Sequence, residues 1–447
     1  MSSKLYVFFH TFVQKERKME LLLHYVWQHQ LLPPGTLCAT DGRAVEVIDA
    51  GLHNLNSGPD FFNAKIKIDG MLWVGNVEIH KLASDWHRHS HDDDDAYNNV
   101  ILHVCERVDA DIRTPDGRLL PQLEISVPQY VSDNYRELLL ADTYPPCYRI
   151  IPKLADLMIH SWLNALTIER LQQKTERIER YLSLANGDWE YAFFIALARG
   201  MGFGVNSDAF ERWAFSVPLN QVGHHRDDAM QVEAFFFGQA GLLDDHAVKP
   251  EQKDDYFCRL QQEYHFLKHK FHLTPIDSSS WRFLRMRPQN FPTIRMAQLV
   301  NLFVSRRLTF RKIVETKDVR HLRKLFDTGV TDYWETHYTF GRMGEKKTKT
   351  LQKKSIDLLL VNVVAPVLFA YGRETMDDAI CERAFSLLES LPAENDNITR
   401  HWQHAGLEVD SAADSQALIQ LRTLYCDRKD CIHCRIGRIY LKECSIK

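Results

Sequence analysis

At 447 residues, with 45% hydrophobic and 26% charged residues, the chain is long enough for two or three domains and apolar enough to bury a large core, as a soluble globular protein does. A net charge of only -4 excludes attraction to nucleic acid through the field of the whole molecule and leaves that task to local patches. Nine cysteines, an odd number scattered without a secretory signal, point to a reducing cytoplasm and argue against a framework of structural disulfides.

Residues 1–18 contain KLYVFFHTFV, an apolar run with one basic residue. No small-residue cleavage site follows and QKERK interrupts it, so it reads as a non-native or disordered extension rather than a targeting segment. No run approaches the length needed to cross a bilayer, and no membrane partner is expected. A first domain spans 19–148. From Met19 to Leu32, Leu21, Leu22, Tyr25 and Val26 follow helical spacing, and PPG at 33–35 ends the helix. AVEVIDAG reads as a strand. Gly58-Pro59-Asp60 then turns the chain into FNAKIKI, where Ala64, Ile66 and Ile68 face one side and Lys65 and Lys67 the other; Asp69-Gly70 is a hairpin signal. In MLWVGNVEIH the period of two places Glu78 and His80 on one face and Val77 and Ile79 on the other. A polar crossover with helical character, DWHRHSHDDDDAYNN, leads to a buried strand, VILHVC, and PDG at 115–117 turns the chain into LLPQLEISV.

Between Ser57 and Cys105 the sequence gathers Asp60, Glu78, His80, Asp85, His87, His89, His91 and His103, a density of metal-type ligands that marks the active centre. His87, His89 and His91 alternate in a way that suits a strand or loop rather than one helix face. At most one of them, His91, is expected to act.

Pro59-Asp60 at the start of one hairpin strand, with Glu78-Ile79-His80 on the next, resembles the PD-(D/E)xK nuclease superfamily, and the order of helix, three strands, helix, strand is similar to that of its core. The resemblance implies that Asp60 and Glu78 hold Mg2+ or Mn2+, which polarises a phosphate and activates a water. His80, as a ligand or base, stands where that family has a lysine, and Lys81 points to the opposite face. Either His80 substitutes, or Lys65 reaches in, or the site takes another metal. More widely, MELLLHYVWQHQLL, GPDF, VEIH, YNNVILHV, RMRPQNFPTIRMAQL and YCDRKDCIHCRIG look like a large bacterial family classed as a domain of unknown function.

Beyond Pro145-Pro146 strand alternation gives way to helical stretches, and 149–420 reads as an all-helical domain. In the first, Leu163, Leu166 and Leu171 form the apolar stripe and Glu169, Arg170, Lys174 and Arg177 the wet face. GMGFG at 200–204 follows no strand and lacks a phosphate-loop lysine, so it reads as a loop between helices. From Trp281 to Lys354, Arg282, Arg285, Arg287, Arg306, Arg307 and Arg311, with the lysines of EKKTKTLQKK, form the candidate nucleic-acid contact. SIDLLLVNVVAPVLFAYG contains Asp357, Asn362 and Pro366, which argue for a core helix and against a membrane span. In the tail, 421–447, Cys426, Cys431 and Cys434 follow C-x4-C-x2-C with Cys444 ten residues later; they suit Zn2+ or an iron-sulfur cluster, the alternative being reduced free thiols.

An α+β protein is therefore expected, with an N-terminal mixed α/β core and a large helical region. The sequence points to a metal-dependent nuclease hydrolysing DNA or RNA, with Asp60, Glu78 and His80 at its centre. The alternative is a non-catalytic nucleic-acid- or protein-binding factor with a degenerate core, and a zinc hydrolase using Glu78, His80, Asp85 and His91 is a third reading.

Overall fold

The computed structural model describes residues 20–32, 36–54 and 56–443. The extension 1–18, the PPG at 33–35 and Cys444 lie outside them. The chain divides into two units: the described residues up to Leu154 with His404–Leu407 and the tail from Arg422, and Ala155–Gln403 with Glu408–Leu421. A mixed sheet with a few helices fills the first and helices fill the second, the α+β arrangement expected.

In the first unit helix α1 spans 20–28. Strands β1 (Leu37–Cys38), β2 (Ala44–Asp49), β3 (Leu52–His53), β4 (Phe61–Ile68), β5 (Met71–Leu82), β6 (Val100–Arg107) and β7 (Gln122–Glu124) form one sheet in the order β1-β2-β4-β5-β6-β7, with β3 on β4. Pairing is antiparallel as far as β5 and parallel from β5 to β6 and β7. The hairpin between β4 and β5 turns on Asp69 and Gly70, both at positive φ, which matches the twist of the two strands.

The apolar residues sort by strand parity. Phe61, Ala64, Ile66, Val77 and Ile79 pack with Leu23, Val26 and Trp27 of α1. Trp86, on the short helix α2 (Asp85–Arg88), packs with Tyr97, Val100 and Cys105 in a second cluster. Gly75 permits the close approach of β5 to β6, since a Cβ there would lie 2.4 Å from the Ile101 side chain and 2.8 Å from the Asn99 carbonyl. Helix α3 (Gln129–Leu140) holds the tail, Asn134 Nδ2 donating to the carbonyls of Tyr440 and Glu443, and the Tyr25 hydroxyl of α1 donates to the Arg438 carbonyl at 2.7 Å.

The second unit begins with α4 (Asp156–Leu184) and α5 (Trp189–Met201). Leu163, Leu166 and Leu171 are buried as their spacing requires, but Lys174 leaves the wet face: its ammonium donates to Asn362 Oδ1 at 2.9 Å and Gln416 Oε1 at 2.6 Å. Phe194, Trp213, Phe236 and Phe303 dominate the core, each large side chain contributing about 1.5–3 kcal/mol on burial. The continuous helix Lys353–Glu374 is long and apolar enough to cross a membrane, yet its Leu360, Val361, Val363, Val364 and Leu368 belong to this core. It widens to a π-turn at Leu360–Val364 because Pro366 lacks the N–H that would bond the carbonyl four residues back, at Asn362.

Candidate metal centre

Register arithmetic puts the two carboxylates together. From Ile68↔Met71 back to Ala64↔Gly75 the paired residue numbers of β4 and β5 keep one sum, but Phe61 pairs with Val77 because the register slips by one at Asn63, whose φ is 55°. This bulge places Asp60 opposite Glu78. The Asp60 N–H donates to Glu78 Oε2 at 3.0 Å, and Asp60 Oδ2 accepts from the Ile79 N–H at 2.9 Å. On the other side of β5, Glu78 is in register with His103 of β6.

Imidazoles close around this pair. His80 Nε2 is 3.5 Å and His91 Nε2 3.2 Å from Glu78 Oε1, and His80 Nε2 is 3.1 Å from His89 Nδ1. One nitrogen from each of His80, His89 and His91 falls within 4.8 Å of the others. Ser90 makes this possible. Its left-handed conformation, φ 61° and ψ 34°, folds the chain back so that residues on either side of it converge instead of diverging. The His91 ring lies between Tyr97, stacked at 3.9 Å, and the edge of Trp86 at 5.3 Å. Behind His80, Nδ1 meets His103 Nε2 at 2.9 Å. A second group adjoins Asp60: His24 Nε2 of α1 is 3.4 Å from Asp60 Oδ2, and His24 Nδ1 is 3.4 Å from His53 Nε2 of β3.

Burial sets the charge state. It raises Asp60 to about 6 and holds Glu78 well above the usual carboxylate range, where the Asp60 charge adds to the effect. The same cause lowers His24 and His91 to about 4 and His103 to about 3, and pushes His80 well below its ordinary value. At neutral pH the imidazoles of His24, His80, His91 and His103 are therefore uncharged, the form that donates an electron pair to a metal. Two buried nitrogens, His24 Nε2 and His91 Nε2, make no hydrogen bond. His91 Nε2 is close to the Glu78 carboxylate but misaligned with it, as two atoms are when both aim at a third.

Glu78, His80 and His91 thus meet, with Asp60 bonded to Glu78 through its N–H, and His89, which the alternate spacing argues against, joins them. His87 does not: it is exposed and bonded to Asp92 at 2.7 Å. Asp85 accepts from the Leu82 N–H and pairs with Arg88, a local role. Lys65 is exposed and in register with Val74, four residues before Glu78 on β5 and so about 13 Å along the strand. It does not reach in. Arg282, Arg285, Arg287, Arg306, Arg307 and Arg311 are all exposed on the helical unit; Arg311 is paired with Glu315 at 2.6 Å and Arg306 lies 3.6 Å from Asp227. Sequence reasoning missed His24 and His53, whose approach depends on α1 and β3 folding over Asp60.

In the tail, Cys431 and Cys434 are buried and Cys426 is half-buried. They are joined by Cys147, which the sequence had not singled out: burial holds its thiol far above the ordinary range, and the nearness of Cys434, Cys426 and Cys431 raises it further. Arg422, four residues before Cys426, lies 4.1 Å over the Tyr144 ring, docking the tail on the segment that carries Cys147.

Fold and centre together define a two-unit α+β protein in which the buried Glu78 and the half-buried Asp60 lie among histidines. A family model described as "Protein of unknown function (DUF2851)" matches residues 20–397, and the chain belongs to that family. No curated protein and no solved structure matches it, and the likeness to the PD-(D/E)xK superfamily gains no support from these comparisons.

Proposed function

We propose that the protein is a metal-dependent hydrolase of phosphodiester bonds, with Glu78, His80, His89 and His91 as the ligand set and Asp60 beside it as general base. Three imidazole nitrogens within 4.8 Å of one another, His80 Nε2 being 3.1 Å from His89 Nδ1, with Glu78 Oε1 3.5 Å from His80 Nε2 and 3.2 Å from His91 Nε2, carry the reading. Bonds of about 2.0–2.2 Å around a tetrahedral ion put its ligand atoms about 3.3–3.6 Å apart. Nitrogen-rich donors favour Zn2+ or Mn2+ over Mg2+, which prefers all-oxygen surroundings. The bound ion would supply Lewis acidity and an acidified water. His89, exposed where His80 is buried, leaves one side of the set accessible to a substrate. Nucleic acid is the proposed substrate because Asp60 and Glu78-x-His80 stand across neighbouring strands, and because the helical unit carries exposed arginines of its own.

Purified protein is expected to carry Zn2+ or Mn2+ and to cleave DNA or RNA. Glu78→Gln should cut both metal retention and cleavage by at least about 10²-fold, beyond what outer-shell changes cost, with the thermal stability of the metal-free protein unchanged. Cleavage that survives Glu78→Gln, or the absence of any hydrolysis by metal-loaded protein, would leave the non-catalytic binding reading in possession.

We also infer a structural Zn2+ or iron-sulfur clip formed by Cys147, Cys426, Cys431 and Cys434. Buried thiols gathered from distant parts of a chain are the usual donor set of such clips. Metal analysis of anaerobically purified protein should find the ion, with visible absorbance if it is a cluster, and Cys147→Ser should release it. Full retention by Cys147→Ser removes Cys147 from the set.

A further inference from the structure

The helical unit contains a cavity of about 450 Å³ lined by Arg170, Lys174 and Arg177 of α4, by Arg199 and Gly200 of α5, by Phe203 and Gly204, and by Asn362 and Val363 of the π-turn. We propose that this cavity binds a phosphorylated small molecule of nucleotide size, its phosphate held by Arg170, Lys174 and Arg177. This goes beyond the hydrolase reading and does not depend on it.

Charge placement carries the inference. Arg170, Lys174 and Arg177 recur at i, i+4 and i+7, and so share one stripe of α4. Like charges so stacked repel unless something neutralises them, and an ordinary surface helix alternates them with acids. Here neutral amides are interposed. Lys174 donates to the amide oxygens of Gln416 and Asn362, and Arg170 faces those of Gln416 and Gln420 at 3.4 and 3.5 Å. The carboxylates stand one step back: Gln416 Nε2 donates to Glu394, and Gln420 Nε2 to Glu169 at 3.2 Å. Among the described residues none of these three cations is in an ion pair with a carboxylate. Arg199, by contrast, is bound to Asp208 at 2.6 Å and to Glu211. Burial, with Arg170 close by, lowers the Lys174 ammonium to about 7; a bound anion would counter this by favouring the charged form.

The walls fit the same ligand. Gly200 lets α5 close on the π-turn, since a Cβ there would lie 2.5 Å from Val363 Cγ2 and 2.9 Å from Leu359 Cδ2. The π-turn exposes Asn362 between the buried Val361 and Val363. Ile178, Phe203, Leu358 and Pro366 supply an apolar wall beside the cations, which suits a ligand with a charged end and a ring system. GMGFG is then a wall whose lysine comes from another helix, not a phosphate loop.

Isothermal titration of the full chain at constant ionic strength tests this with pyrophosphate, a nucleoside diphosphate and the matching nucleoside as probes. Saturable binding of the diphosphate is expected, tighter than that of pyrophosphate, with no binding of the nucleoside alone. Arg177→Ala, at an exposed position, and Lys174→Met, which replaces a half-buried cation by an apolar side chain of similar length, should each weaken it at least about tenfold while circular dichroism is unchanged. No binding of either phosphate probe to the wild-type chain, or binding unchanged in both variants, overturns the proposal.

Discussion

Both units bury charged or titratable side chains, and Lys349 and Glu233 of the one and Glu78 and His91 of the other differ in what they meet. In the helical unit Lys349 is only 4% exposed, and its ammonium donates to the carbonyls of Trp334, Glu335 and His337, 4.0 Å from the centre of the Tyr338 ring. Glu233, 1% exposed, accepts from Trp334 Nε1 and, at 3.2 Å, from the Thr331 hydroxyl. Each is closed by its own neighbours. In the sheet unit Glu78 is as deeply placed and His91 is half-buried, yet the buried His91 Nε2 stays unbonded 3.2 Å from Glu78. Buried polar groups satisfied internally hold a fold together; those that converge without satisfying one another call for an ion or ligand.

The largest effect that could break this contrast is at Lys349. Lys349→Met leaves three carbonyls without their donor, and the expected loss is about 3 kcal/mol by urea unfolding. An unchanged midpoint would show that water replaces the ammonium at no cost, and the structural role assigned to buried, fully bonded groups would fall. Lys349 lies in EKKTKTLQKK, which reads as a polyanion contact in sequence; its burial removes it from that surface, while Lys346 and Lys347 pair with Glu335 and Glu345.

Glu233 sharpens the comparison through pH. Burial raises its carboxyl from 4.5 to about 7, so the fold favours the protonated form. The stability it contributes is fully present below pH 4.5 and is lost as pH rises through about 7, a decline of roughly 3 kcal/mol across that window. Glu233→Gln should flatten this part of the stability profile, at the expense of absolute stability because its amide N–H₂ meets donors. A wild-type profile that rises from pH 4.5 to 7 with the same slope in the variant would show that Glu233 is ionised throughout.

What was legible in the sequence was local. Alternation alone placed Glu78 and His80 on one face of β5, and the loss of alternation after Pro146 marked the helical unit. What was hidden depended on single backbone conformations or on distant segments. A bulge at Asn63 sets Asp60 against Glu78, and the left-handed Ser90 brings His89 to His91; neither residue type dictates its conformation. His24, His53 and Cys147 arrive through tertiary packing, which no spacing rule encodes. Lys174 was misplaced because a helical stripe of cations reads as solvated when the helix that covers it, Lys353–Glu374, is far along the chain.

The smallest effect concerns His103, and it separates a ligand-positioning role from a packing role. His103 is fully buried; its Nε2 lies 2.9 Å from His80 Nδ1 and 3.5 Å from Cys105 Sγ, while the Gln122 side-chain amide lies 3.4 Å from its Nδ1. For His80 to present the lone pair of Nε2 to an ion, its proton must sit on Nδ1, and His103 Nε2 is the acceptor that keeps it there. His103→Phe fills the space without that acceptor, so metal affinity should fall about 10- to 100-fold, and cleavage should return when excess Zn2+ or Mn2+ is added. A ring that only packed would give a different result: lower thermal stability of the metal-free protein, with metal affinity and cleavage unchanged per folded molecule. That outcome would take His80 out of the ligand set, since a ligating imidazole with an unconstrained proton would have lost affinity when its partner was removed.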